Sequence, residues 1–266
     1  MNDERMEIIG AEPVSTDTYR LTLQAHIGYA DARPGQFVMV RIPDGLTPLL
    51  RRPFSIHRSR RLSASQAALE ILYRVVGKGT RRLAGCRPGD RLDVLGPLGR
   101  GFSAPPPSGP LFLAAGGMGV APMVFLADWL CLDENRRRDI RVFLGGRTAA
   151  ELLCRDRFEE LGLPVVLTTD DGSDGDQCLV THPIEEQIRL TPPAMIYACG
   201  PPGMLSCIAG FADTYGIRVE VSIETLMACG LGACLACAVA DRRDPQRYRH
   251  ACLHGPVFDA REILLP

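Results

Sequence analysis

Four cysteines near the C-terminus, Cys229, Cys234, Cys237 and Cys252, follow the spacing C-x4-C-x2-C-x14-C. Thiolates ligate soft and borderline metals, and C-x4-C-x2-C with a distant fourth cysteine is the plant-type ligand pattern of a 2Fe-2S cluster. The stretch CGLGACLAC places only glycine, alanine and leucine between the first three thiols. Gly230, Gly232 and Ala233 leave room for backbone N–H groups to approach sulfur, which bulkier residues would hold away. Zinc also takes four thiolates, but its structural sites usually pair two C-x2–4-C units, and Cys252 has no cysteine mate. His250 and His254 flank Cys252 and keep zinc as the alternative, with a zinc-stapled binding module as the matching non-redox function. The other six cysteines are scattered, and five of them read as small packing residues. The start MNDERMEIIG is charged where an export signal would be apolar, so the thiols are expected in a reducing cytoplasm.

A second set of residues suits phosphate and ring binding. In Arg51-Arg52-Pro53-Phe54-Ser55-Ile56 an arginine can pair bidentately with a diphosphate, while Pro53 fixes a turn and Ser55 offers a hydroxyl to a ring heteroatom. A solvated Arg-Arg pair would read the same way. Leu72-Tyr73-Arg74 leads into Gly77-Lys78-Gly79-Thr80, a glycine loop whose threonine can cap a helix over TRRLAGC and leave N–H groups for phosphate. Gly116, Gly117 and Gly119 form a glycine turn between a buried strand and a helix, where nucleotide phosphates meet the helix dipole. Cys199-Gly200-Pro201-Pro202-Gly203 repeats the arrangement after the strand MIYA. Two such turns at one sheet edge can leave a slot for a nicotinamide ring, although each alone is ordinary strand-to-helix punctuation. Arg147, just after VFLGG, can reach a 2′-phosphate and favour NADP, or stand as an exposed loop arginine.

These residues need scaffolds, and the chain supplies three textures. Segments such as YRLTLQA, GQFVMVRI, ALEILYRVV and DRLDVLG alternate with Pro-Gly turns, which predicts an antiparallel β-barrel or sandwich over 1–103. The proline-rich stretch Ala104–Pro110 is the boundary. Strand and helix patterns then alternate over 110–219 (LFLAA, VAPMVFLADWL, IRVFLGG, ELLCRDRFEELG, PVVLTT, MIYACG, GMLSCIAGFADTYG), the signature of a parallel α/β domain. From 220 to 266 the pieces are short, apolar and rich in cysteine. Hydrophobic residues at 46% and charged residues at 23% are globular values, and 30 basic against 31 acidic residues leave no field that would draw nucleic acid. Pro110–Ala127 carries no charge over nearly a membrane's thickness, but its three glycines and Pro122 read as a strand, a turn and a helix rather than a span.

In order, RRPFSI, LYR with GKGT, GPLGRGF, LAAGGMGVAPM, TTDDGS, YACGPPGML, SIETLMACGLGACLAC and CLHGPVFDAREI cover essentially the whole chain. Together they resemble the ferredoxin–NADP reductase superfamily, and within it the electron-transfer subunits of dihydroorotate dehydrogenase B. The resemblance implies a multidomain β and α/β protein: a flavin-binding barrel, a nucleotide-binding α/β domain and a small 2Fe-2S domain. It implies FAD held by Arg52, Pro53, Phe54 and Ser55, with Leu72, Tyr73 and Arg74 along its ribityl and ring side and Gly79 and Thr80 at its pyrophosphate. NAD would face Gly116, Gly117, Gly119, Cys199, Gly200 and Pro201, with Cys199 a wall of the nicotinamide slot. The cluster would sit on Cys229, Cys234, Cys237 and Cys252. The implied function, in pyrimidine biosynthesis, passes electrons from the FMN of a separate catalytic subunit through 2Fe-2S and FAD to NAD, within a heterotetramer and without a catalytic side chain. A sister subunit of a ferredoxin-type NAD(P)H oxidoreductase or bifurcating transhydrogenase is the alternative. At Glu224-Thr225-Leu226-Met227 the chain departs from the family pattern, which has an acidic residue followed by a basic one.

Overall fold

Strands that are apolar on one face only must cover that face, and a sheet can do so by closing on itself. In the computed structural model, which describes residues 2–42, 49–132 and 139–265, the first six strands do this. They are β1 (Asn2–Pro13), β2 (Thr18–His26), β3 (Phe37–Arg41), β4 (Arg52–Arg61), β5 (Gln66–Arg74) and β6 (Arg91–Leu98), closed in the order β1-β2-β5-β4-β3-β6. Met6, Leu21, Val38, Ile56, Leu69 and Val94 fill the interior. Arg51 ties the rim, donating to the Asp93 carbonyl at 3.0 Å and pairing with Asp3 at 2.9 Å.

The RRPFSI segment, expected as a turn between strands, is itself the start of β4, with Pro53 opposite Met39 of β3. Pairing of β4 with β5 begins only at Ile56, so the missing N–H of Pro53 costs no ladder bond. Helix α1 (Lys78–Ala84) begins two residues before the expected threonine. Thr80 still caps it, its Oγ1 accepting the N–H groups of Val76 at 2.9 Å and Gly77 at 3.1 Å.

The second half forms a six-stranded sheet. β7 (Leu111–Gly116), β8 (Ile140–Gly146), β9 (Val165–Thr169), β10 (Met195–Cys199) and β11 (Arg218–Ser222) run parallel, and β14 (Val257–Asp259) joins β11 antiparallel, in the order β14-β11-β10-β7-β8-β9. β7 and β10 are buried at every residue, as central parallel strands covered on both faces are. Strand order reverses between them, which is where open α/β sheets bind ligands. Helices α2 (Val120–Leu130) and α3 (Arg155–Glu160) cover one face, and α4 (Thr181–Leu190) and α5 (Pro202–Tyr215) the other. The domain boundary expected at 219/220 falls inside β11, and β14 brings the C-terminal segment back to the sheet. That segment carries a short hairpin, β12 (Ala238–Ala240) and β13 (Tyr248–His250), and α6 (Ala251–His254). Its Cys237, Val239, Cys252 and Phe258 share one apolar cluster with the barrel residues Met39 and Leu98.

The uncharged stretch from Pro110 resolves into β7, a glycine turn and α2, and among the described residues no helix is long and apolar enough to cross a membrane. α2 lies between the sheet and the barrel, with Phe125 reaching into the barrel cluster. Where it meets β4, the buried His57 places Nδ1 3.0 Å from the Ala121 carbonyl oxygen. A carbonyl only accepts, so Nδ1 carries the proton and donates.

Burial holds the His57 imidazole down to about 4, from an ordinary 6.5, outweighing the help of the Ala121 carbonyl. Between those values the unfolded chain binds a proton that the folded chain does not, so stability falls as pH drops through this window, by about 3 kcal/mol in all. Urea denaturation followed by circular dichroism should show this loss in the wild type and a smaller one in His57→Gln. Equal pH dependence of the two would remove the buried imidazole as its cause.

Candidate cofactor sites

A cleft of about 1050 Å³ opens at the carboxyl ends of the parallel strands, and both glycine turns line it. A Cβ on Gly117 or Gly203 would meet nothing within 4 Å, so bare backbone faces the cleft at both turns. The turns touch because neither has side chains between them. A Cβ on Gly119 would lie 2.0 Å from the Cys199 carbonyl oxygen, and one on Gly116 2.7 Å from the Met204 sulfur. Gly116, Gly117, Gly119, Gly200 and Pro201 are thus brought together as the sequence suggests, at the N-termini of α2 and α5. Cys199 is not part of the wall. It is 5% exposed, lies behind Gly119, and burial pushes its thiol up to about 12, so its contribution to the cleft is the carbonyl on which Gly119 rests.

Toward β8 and β9 the cleft is lined by Arg147, Glu151, Thr168 and Asp170, and from the barrel by Arg74. Arg74 faces this cleft because it shares the outward face of β5 with Leu72. It pairs with Asp17 at 3.4 Å and Glu151 at 3.3 Å. Glu151 accepts the Arg147 backbone N–H and Nε–H, each at 3.0 Å, and the Arg147 guanidinium first, with Arg74 in support, holds its carboxyl down to about 2 despite partial burial. Asp170 belongs to the TTDDGS motif, whereas Glu151 carries no motif signal and only the fold brings it here.

In the flavin segment, Arg52, Pro53 and Ser55 are half-buried, and Arg52 donates to the Leu50 carbonyl at 2.9 Å. Phe54 and Tyr73, expected against the flavin, instead turn into the barrel cluster and meet edge to face at 5.6 Å. Strand parity explains this: Tyr73 sits between Leu72 and Arg74, which face outward. The Tyr73 hydroxyl is buried without a hydrogen-bond partner. The Arg52 guanidinium, the Ser55 hydroxyl and the open backbone at Gly77, beside Gly79 and Thr80, form a donor set that fits a diphosphate-bearing flavin.

The cysteine loop is shaped by glycines that no other residue could replace cheaply. Gly230 and Gly232 adopt φ of +71° and +79°. A Cβ on the first would lie 2.6 Å from Met39 Cγ and on the second 2.3 Å from Leu253 Cδ1. Backbone N–H groups point at sulfur: Leu231 and Cys234 donate to Cys229 at 3.3 and 3.5 Å, and Gly232 to Cys252 at 3.1 Å. Burial opposes ionisation of Cys229, but these donors bring its thiol down to about 6. Cys237 Sγ lies 3.2 Å from Cys252 Sγ, and Cys229 Sγ sits against the backbone of Cys234. Among the described residues no three His, Cys, Asp or Glu side chains group around a single ion. A pair of thiolates per iron is what a two-iron centre takes, so the donors fit that cluster. His250 and His254 face each other, ring centres 6.0 Å apart.

Residues 5–102 match an oxidoreductase FAD-binding domain, 113–210 an oxidoreductase NAD-binding domain, and 224–264 the iron–sulfur cluster binding domain of dihydroorotate dehydrogenase B. The chain is 39% identical over 259 residues to the dihydroorotate dehydrogenase B (NAD(+)) electron transfer subunit of Desulforamulus reducens, covering 97% of each chain. It belongs to this family of electron-transfer subunits. The Geobacillus thermodenitrificans member is 38% identical over 98% of both chains. The iron–sulfur match replaces the zinc alternative for the cysteines. Among solved structures, the NADH-dependent reduced ferredoxin-NADP oxidoreductase, described in connection with flavin-based electron bifurcation, superposes with a TM-score of 0.83 at 28% identity, over 98% of this chain and 90% of that one. The cytochrome b5 reductase domain of Ulva prolifera nitrate reductase shares the fold at 16% identity and a TM-score of 0.63, over 81% of this chain and 94% of that one.

Forcing a β-branched residue into the left-handed region costs about 2 kcal/mol, before any clash with Leu253. Gly232→Val should therefore lose most of its iron and acid-labile sulfide while keeping its FAD. Metal analysis and the visible spectrum measure both, and a variant with full iron content would contradict the loop geometry.

Proposed function

We propose that this subunit carries electrons between the FMN of a dihydroorotate dehydrogenase catalytic subunit and NAD, by way of its own 2Fe-2S cluster and FAD, in pyrimidine biosynthesis in the cytoplasm. The observation that carries the reading is the seat of the cysteine loop. Gly230 packs on Met39, and Met39 is the strand partner of Pro53 in the flavin segment. The cysteine loop and the flavin segment are thus tied to one pair of hydrogen-bonded strands.

Bound FAD supplies the exchange between single electrons and a hydride. The chain's residues hold and shield. Arg52, Pro53 and Ser55, with Leu72 behind them and Gly79 and Thr80 at the α1 turn, are assigned to FAD; Phe54 and Tyr73 support the segment from the barrel core. Gly116, Gly117, Gly119, Gly200 and Pro201, with Arg74 from the barrel, are assigned to NAD, and Cys229, Cys234, Cys237 and Cys252 to the cluster. Arg147 is committed to Glu151, so a 2′-phosphate would have to displace a carboxylate, which favours NAD over NADP.

The partner is read from the rim of the cysteine loop. Leu226 and Leu235 are 87% and 56% exposed, with Leu231 and Leu253 also exposed beside them. Such an apolar rim around an electron-transfer centre suits a protein partner. We assign it to the FMN-containing catalytic subunit, two of each forming a heterotetramer.

Purified with that subunit, the chain should catalyse NAD reduction by dihydroorotate, with NADP at least about tenfold less efficient. The likeness to the ferredoxin-NADP oxidoreductase gives the competing outcome: NADPH-dependent ferredoxin reduction without dihydroorotate activity would replace this reading. Leu226→Glu with Leu235→Glu should weaken assembly about tenfold or more at unchanged FAD and iron content. Analytical ultracentrifugation tests it, and unaltered assembly would move the docking face elsewhere.

A further inference from the structure

The flavin segment and the nicotinamide-side glycine turn are joined by something shorter than a domain interface. β4 carries Arg52–Ser55, and two residues on its register slips between Ile56 and Arg58. Such a bulge breaks the in–out alternation and re-aims side chains. Here the consecutive residues His57 and Arg58 both leave the barrel to meet α2. His57 Nδ1 lies 3.0 Å from the Ala121 carbonyl, in the first turn of α2, and Arg58 Nε 2.9 Å from Asp128 Oδ2, nearly two turns further along. α2 begins directly after Gly117–Gly119, the turn that lines the dinucleotide cleft. The other oxygen of Asp128 receives Arg157 Nε at 2.9 Å from α3, which braces the carboxylate from the nucleotide side.

We propose that this two-point contact, His57 to Ala121 and Arg58 to Asp128, is a positioning clamp that sets the approach of flavin to nicotinamide for hydride transfer. The inference rests on the functional reading above. A buried imidazole is a costly way to fill space that an aliphatic side chain would fill as well. What it adds, with the ion pair, is a fixed distance and direction between a barrel strand and a packed helix, with no loop between. A hydride exchanged between bound flavin and nicotinamide would move as one nucleus with two electrons, and such a transfer needs its reacting atoms near 3–3.5 Å. Single-electron exchange with the cluster makes no such demand. None of His57, Arg58 and Asp128 lines the cleft, so they act as positioning residues.

The test uses the assembled holoenzyme carrying Asp128→Asn, Arg58→Gln, or both. At saturating NADH, stopped-flow reduction of the flavin should slow about tenfold or more, with the NADH half-saturation changed less than about twofold. Deuteration at nicotinamide C4 should give a larger isotope effect than in the wild type. Away from turnover, the long-wavelength charge-transfer absorbance of reduced flavin with NAD should weaken, and amides in the first turn of α2 should exchange faster with deuterium. The double variant should be no slower than the worse single one, as expected of one shared contact. Electron equilibration between cluster and flavin after dithionite reduction should not change. Wild-type hydride rates in the variants, proportional loss in both electron routes, or additive single effects would each overturn the clamp. Arg58→Lys, which keeps the charge, is read by the same criteria should Asp128→Asn lose FAD. A wild-type enzyme whose flavin NADH cannot reduce defeats the functional reading itself, whereas a competent wild type with unaffected variants defeats only the clamp.

Discussion

The β3–β4 ladder is the constraint around which the chain is arranged. Met39 on β3 supports the cysteine loop at Gly230, and the outward residues of β4 meet α2, whose N-terminus is the glycine turn of the dinucleotide cleft. Three prosthetic groups that must lie close together are thereby referred to one pair of hydrogen-bonded strands. Closure of the barrel makes that pair stiff, because a strand with neighbours on both sides has no free edge along which to slip.

The same constraint explains a compositional oddity. Pro110–Ala127 is uncharged not because it crosses a bilayer but because β7 is central in a parallel sheet and α2 is buried on two sides, by the sheet and by the barrel. A helix between two such surfaces loses the polar stripe that a surface helix keeps. It also makes the junction of barrel and sheet resemble a protein interior more than a transient domain contact. The Arg58–Asp128–Arg157 ion pairs stand at its rim, where residual solvent lowers the cost of charge.

What could be read from the sequence follows from which signals are local. Cysteine spacing, the glycine turns and the period-two runs of β2, β5 and β6 are visible within a few residues. β1 was less visible because charged residues alternate with its few buried ones, Met6 and Ile8. β4 was masked by Pro53, whose tolerance depends on β5 not yet having joined it. α4 went unread among polar residues, with only Ile184 and Ile188 marking its buried face, and β14 is only three residues long. The direction of a side chain was harder still. Phe54, Tyr73 and Cys199 lie where the motifs put their backbones, yet parity and depth turn their side chains inward. Asp128 and His57 matter through contacts with residues far away in sequence, as Glu151 does through Arg74, and no spacing rule contains these.

The surroundings of the cysteine loop carry the argument one step further. A cluster's charge has to be met locally, and here nearby arginines do not meet it. Arg242 pairs with Asp213 of α5 at 2.7 Å, Arg249 with Asp241 at 2.8 Å and Arg247 with Asp244 at 3.1 Å, so three of the hairpin's four arginines are held by carboxylates. The donors aimed at sulfur are backbone N–H groups, fixed dipoles that ionic strength screens little and that need no reorganisation when an electron arrives. Potentials of such centres follow hydrogen bonds to sulfur and solvent exposure. In this subunit both are set by the glycine conformations of one loop and by whatever covers its leucine rim. A partner seated there would therefore change the energy of the centre as well as deliver its electrons, which makes assembly and electron transfer one coupled event.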